Sequence, residues 1–177
     1  MDWSCASWVN CCAFCPSGRT IAFGGHDASI HFVSFNNGEP AEQVMRLSGL
    51  PLCDMQFLSP TVLVAGGHDC NPVLFAGAPW RFVDSVDKKS EAAAAVAATS
   101  GAAAARAMFQ AKSSQGQDAK KTSSDAWKKH QSPITSMQRL AAPGSSTCTS
   151  FSSTALDGRV THWDLTKASH IDNSVLA

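Results

Sequence analysis

The sequence lacks net charge, because fourteen basic residues are matched by fourteen acidic ones among its 177. A balanced chain has no global attraction for nucleic acid or anionic lipid, so any charged partner must be met by a local patch. It also lacks an apolar run near the roughly 20 residues that span a bilayer. The Ala-rich tract at 92–107 is too weakly hydrophobic and is broken by Thr99, Ser100, Gly101 and Arg106. Missing as well is a basic start followed by an apolar run, the mark of a secretory signal. The cysteines, at 5, 11, 12, 15, 53, 70 and 148, are odd in number and scattered, which implies free thiols in a reducing cytosol.

Catalytic groupings are missing too. No G-x-S-x-G elbow occurs, and neither paired carboxylates nor a complete metal-ligand set is visible. Cys12-Ala13-Phe14-Cys15 has the C-x-x-C spacing of a metal knuckle or redox pair, with His26 eleven residues on, but no second ligand pair completes it. Within an apolar run such cysteines read more simply as small buried strand residues. No catalytic, cofactor-binding or metal-binding residue is expected, so the chain reads as a non-enzyme.

What is present is a repeat. Gly24-Gly25-His26-Asp27 recurs 42 residues later as Gly66-Gly67-His68-Asp69. Each copy has an apolar run before it (Val9 to Phe14; Leu52 to Phe57), a turn with Pro and Ser, and a second apolar run (Ile21-Ala22-Phe23; Val62 to Ala65). A third apolar segment follows each Asp, at Ile30 to Phe35 and Pro72 to Ala76. The unit reads strand, turn, strand, tight Asp turn, strand. A third copy opens at Pro133-Ile134-Thr135-Ser136-Met137 and reaches its turn at Asp157, ending Gly158-Arg159-Val160-Thr161-His162-Trp163-Asp164. A period near 42 with a terminal Trp-Asp is the pattern of WD-type β-propeller blades.

Asp157 lies 88 residues after Asp69, so one period plus about 46 inserted residues separate them. The insertion contains Ala92 to Ala95 and Ala102 to Ala105, then Arg106-Ala107-Met108-Phe109, whose intrinsic preference is helical. A Ser/Gln/Gly/Lys-rich stretch follows and reads as linker. Nine of the fourteen basic residues fall in 81–130 against five acidic ones, making this arm locally positive. The expected organisation is two degenerate blades at 1–84, an insertion at 85–130 with a helix near 102–111, a final WD blade at 131–166 and a tail at 167–177.

In each blade the turn between second and third strands needs an acceptor at its tip. A carboxylate suits it, because charge-assisted hydrogen bonds to turn N–H groups are roughly twice as strong as neutral ones. Asp27, Asp69 and Asp157 take that place. In the third copy His130, Ser153 and Trp163 join Asp157 in a set resembling the His–Ser–Asp–Trp network of WD repeats. A serine, a histidine and an aspartate also suggest a hydrolase, but without an exposed nucleophile turn the structural reading is simpler. Six residues after Asp27 stands Val33 and six after Asp69 stands Phe75, so the first two copies are degenerate.

These residues also resemble one family. Leu50-Pro51-Leu52, then Leu63-Val64-Ala65-Gly66-Gly67-His68-Asp69-Cys70-Asn71-Pro72-Val73-Leu74-Phe75, is similar to the penultimate blade of subunit 1 of the actin-related protein 2/3 complex. Ser7-Trp8-Val9, Ala105-Arg106-Ala107-Met108-Phe109-Gln110, and a last blade with Cys148, Phe151, Asp157-Gly158 and Trp163-Asp164 agree in order. The resemblance implies a cytoplasmic, actin-cytoskeletal scaffold without cofactor, one part of a seven-bladed ring. The implied partners are the other subunits, the actin filament and the acidic tails of nucleation-promoting factors, with no nucleic acid and no membrane span. It also implies that Arg106, Met108 and Phe109 of the inserted helix touch actin, although that helix can equally fold back on the propeller rim. Lys120, Lys121, Lys128 and Lys129 suit an acidic partner or are solvated linker charge.

Three copies are fewer than the seven blades the resemblance implies, and the outer strand that a WD ring's last blade takes from its N-terminus is missing. The reading is therefore a fragment, or a reduced relative that needs a partner. The rival functions are a WD adaptor of another complex and a nucleic-acid binder acting through the basic arm.

Overall fold

A computed structural model describes residues 2–35, 39–88 and 127–176. It divides into two compact units, one formed by 1–86 with 129–177 and the other by 87–128. The helix expected near 102–111, with Arg106, Met108, Phe109, Lys120 and Lys121, lies outside the described residues.

The first unit is built from three antiparallel sheets, and no α-helix occurs among the described residues. In sequence order, β1 (Val9–Phe14), β2 (Thr20–Gly25), β3 (Ser29–Ser34) and β4 (Ala41–Arg46) form the first sheet. The second contains β5 (Leu52–Ser59), β6 (Val62–Gly67), β7 (Val73–Ala76) and β8 (Arg81–Ser85). The third has β9 (Ile134–Arg139), β10 (Ser150–Ala155) and β11 (Val160–Asp164). Each sheet is a meander in which neighbouring strands are sequence neighbours. The register repeats, with Ile21 opposite Val33 in the first sheet and Leu63 opposite Phe75 in the second.

Burial explains why the runs differ in pattern. The second sheet is covered on both faces, so β6 is buried throughout and reads as a continuous apolar run. One face packs against the first sheet in a core of Ala22, Ile30, Phe32, Met55, Leu63 and Phe75. The other packs against the third through Leu58, Val64, Leu74, Ile134, Met137 and Phe151. Each of the Ile, Leu, Val, Met and Phe side chains contributes about 1.5–3 kcal/mol on burial. Strand β10 alternates between half-buried and buried positions, as a sheet covered on one face should.

Two features escape the three-strand pattern read from the sequence. Outer strands β4 and β8 carry no fully buried position, so no apolar signal marks them. The residues after Asp164 are packed rather than trailing: Leu165 and Ile171 are buried in the core between the second and third sheets, with Val175 and Leu176 packed against it. Two one-turn 3₁₀ helices, Leu165–Lys167 and Asn173–Leu176, shape this stretch.

Candidate functional site

The turn aspartates perform one task in all three sheets. Each reaches back to the segment that leads into the innermost strand of its own sheet. Asp27 Oδ1 accepts from Ser7 Oγ at 3.3 Å, and the Asp27 N–H donates to that oxygen at 3.0 Å. Asp69 Oδ2 accepts from the Leu50 N–H at 2.7 Å, and Asp157 Oδ2 from the Gln131 N–H at 2.7 Å. The approach at Asp69 requires Gly49, where an added methyl would collide with the carboxylate. The residue after each aspartate is left-handed: Ala28 at φ 59°, Cys70 at 60° and Gly158 at 76°. This bend aims the carboxylate backwards, and the first two sheets adopt it without glycine.

Asp27 sits in a longer polar chain. Ser29 Oγ donates to its Oδ1 at 2.6 Å, His31 Nε2 lies 3.1 Å from that hydroxyl, and His31 Nδ1 is 2.7 Å from Glu42 Oε1. The hydrogen bonds from Ser29 hold the Asp27 carboxyl below the usual carboxylate range, helped by Ser7 and Arg46.

In the third sheet the four predicted residues meet. The Trp163 indole N–H donates to Ser153 Oγ at 2.7 Å. An indole nitrogen can only donate, so the serine proton is free for His130 Nε2, also 2.7 Å away. That arrangement leaves the histidine proton on Nδ1, facing Asp157 Oδ2 at 3.5 Å. That separation is too long for a hydrogen bond, so the buried Nδ1 is left without a hydrogen-bond partner beside the carboxylate. His130 and Ser153 are fully buried. Burial works to raise the Asp157 pKa, but the N–H groups of Gln131 and Arg159, with His130 beside them, hold it below the usual range. The serine is buried behind an indole and presents no attacking oxygen to solvent.

Lys129 Nζ lies 4.1 Å above the Trp163 ring centroid. Arg159 Nη1 donates to the Lys129 carbonyl at 2.9 Å. In the second unit, Lys128 Nζ is 5.9 Å from the Trp127 ring centroid. Of the residues proposed for partners, these two lysines are the ones described.

The seams between sheets carry polar pins that sequence reading missed. Asn10 Nδ2 donates to the Leu52 carbonyl at 3.0 Å, and Asp54 Oδ2 accepts from the Met137 N–H at 2.6 Å. Gln43 pairs reciprocally with the Trp80 backbone, donating to its carbonyl at 2.6 Å and accepting from its N–H at 2.8 Å. The Trp80 ring stacks on Phe32 at 4.5 Å, 6° from parallel. Only the 42-residue separation of Asn10 and Leu52, one blade period, could have hinted at any of these.

All seven cysteines are free. Cys11 is buried, and that burial, with Asp54 nearby, pushes its thiol up to about 12. In the C-x-x-C segment Cys12 is exposed and Cys15 buried, the latter accepting from the Thr20 N–H at 3.2 Å. Among the described residues no group of three or more His, Cys, Asp or Glu could hold a metal ion, and no helix is long and apolar enough to cross a membrane.

No protein-family model matches the chain. Subunit 1B of the actin-related protein 2/3 complex from Arabidopsis thaliana is 32% identical over 162 residues, which covers 90% of this chain and 43% of that protein. Subunit 1B-A from Xenopus laevis is 29% identical over 176 residues, covering 92% of this chain and 42% of the relative. Among solved structures, the WD40 repeats of RRP9 align with a TM-score of 0.59 at 12% identity, over 96% of this chain and 39% of theirs. The U3-55K structure aligns at 0.58 with the same identity. These two likenesses show the fold, and the chain spans less than half the length of the curated relatives it matches. The chain is a partial WD40-type β-propeller whose curated homologues, over 90% of its length, are subunit 1 of the actin-related protein 2/3 complex.

Proposed function

We propose that the chain acts as a non-catalytic scaffold within the actin-related protein 2/3 complex, supporting nucleation of branched filaments in the cytoplasm. The observation that carries this reading is the 32% identity over 90% of the chain to subunits of that name. The site geometry supports it: the polar residues that could suggest catalysis are spent on locking turns to strands. On this reading the other subunits are permanent neighbours. The basic insertion supplies Arg106, Met108 and Phe109 to the actin filament, since two large apolar residues on a positive arm suit a protein surface. Lys120, Lys121 and Lys128 lie along the same arm and at its end, where they favour the acidic tails of promoting factors; Lys129, held over Trp163, is less suited to them.

The test uses complex assembled with this chain. Met108→Asp with Phe109→Asp should leave assembly intact and lower branch formation on filament sides several-fold; unchanged branching would refute the arm's role. The WD40 likeness at 12% identity fits an adaptor of any complex. Recovery of a different set of partners, without either actin-related protein, would favour that reading.

A further inference from the structure

We infer that Lys129 and Arg159 are positioning residues: together they clamp the point where the chain returns from the insertion onto the last sheet. Three consecutive residues are gripped there. The Lys129 ammonium rests on the Trp163 ring at 4.1 Å, and the Lys129 carbonyl accepts from Arg159 Nη1 at 2.9 Å. His130 Nε2 meets Ser153 Oγ at 2.7 Å, and the Gln131 N–H donates to Asp157 Oδ2 at 2.7 Å. Arg159 is itself set by the turn, since its N–H donates to Asp157 Oδ1 at 3.0 Å.

The second sheet shows what this clamp adds. Its Leu50 N–H meets Asp69 as Gln131 meets Asp157, so Ser48 and Gly49 correspond to Lys129 and His130. Asn71 stands where Arg159 would, and Phe75 where Trp163 would. Neither a lysine nor an arginine stands at these corresponding positions. The sheet that carries this cation and guanidinium is the one preceded by about 46 inserted residues. A cation over an indole face together with a guanidinium on a carbonyl opposes fraying where the chain enters this sheet. The arrangement also uses Lys129 as an anchor rather than as a free cation for an acidic partner. The value of the clamp to actin binding rests on the reading above; the clamp itself does not.

Chymotrypsin cleavage after Trp127, two residues before Lys129, measures the clamp directly. Lys129→Met should speed that cleavage at least fivefold, as should Arg159→Gln, with the thermal midpoint unchanged. Lys129→Arg, whose guanidinium can also lie on the indole, should restore the wild-type rate. Unchanged cleavage in both loss variants would overturn the clamp, and so would equal acceleration after buried Phe57, which reports global opening. If cleavage speeds up while assembled complex branches normally, the clamp stands and its value to actin contact is refuted, leaving the contact itself to the Met108→Asp with Phe109→Asp variant.

Discussion

Ser153 Oγ accepts a hydrogen bond from the Trp163 indole N–H at 2.7 Å, in a position with no access to water. The hydroxyl is the middle of a chain that ends on the Asp157 turn, so its removal strands both neighbours. Ser153→Ala leaves a buried indole N–H and His130 Nε2 without partners, at a cost of about 1–3 kcal/mol. Urea unfolding should show a lowered midpoint at constant slope. Paired with Trp163→Phe, the losses should fall short of additive by about 0.5–3 kcal/mol, and strict additivity would mean the two groups are not coupled.

Asp54 carries the seam between the second and third sheets through the Met137 N–H at 2.6 Å. Asp54→Ala should destabilise by about 1–3 kcal/mol, with hydrogen exchange at the Met137 amide accelerating more than at Leu63 in the neighbouring seam. Asp54→Asn keeps an acceptor oxygen and should recover most of the loss.

Ala28 occupies the left-handed region at φ 59°. Relief of its Cβ strain predicts that Ala28→Gly stabilises the chain, by about 0.5–1 kcal/mol once glycine's extra unfolded-state freedom is subtracted. Gly158→Ala, at φ 76°, should do the reverse. Equilibrium unfolding measures both, and the signs must be opposite.

Asp27 and Asp157 both have folded pKa values below their ordinary range. A depressed carboxylate binds protons more readily when unfolded, so its stabilisation is present above the unfolded pKa. It is lost as pH falls through the folded value. Stability should therefore be level near neutrality and drop below about pH 4, the ordinary aspartate range. Asp157→Asn should flatten that acid limb while lowering stability at pH 7.

The Cys11 thiol is held near 12 in a buried site. At pH 8, iodoacetamide should leave Cys11 unmodified while exposed Cys12 is alkylated, as read by peptide mass spectrometry.

The sequence made the blades legible where chemistry repeats. The three turn aspartates, the apolar runs around them and the His130, Ser153 and Trp163 set are visible because their spacing follows from strand geometry. The outer strands β4 and β8 were not visible, because an edge strand with half its side chains in water leaves little apolar signature. The pins at Asn10, Asp54 and Gln43 depend on the register between sheets, which no local pattern encodes. Lys129 looked like linker charge beside Lys128; only the position of Trp163 reveals its use. Burial of Ile171 likewise depends on a seam formed by two sheets distant in sequence.

The most direct measurement is affinity purification of the tagged chain from the cells that express it, with quantitative mass spectrometry of what it retains. The account predicts both actin-related proteins and the remaining subunits of their complex, in near-equal amounts and resistant to a 200 mM salt wash. Recovery of the chain without either actin-related protein would contradict it.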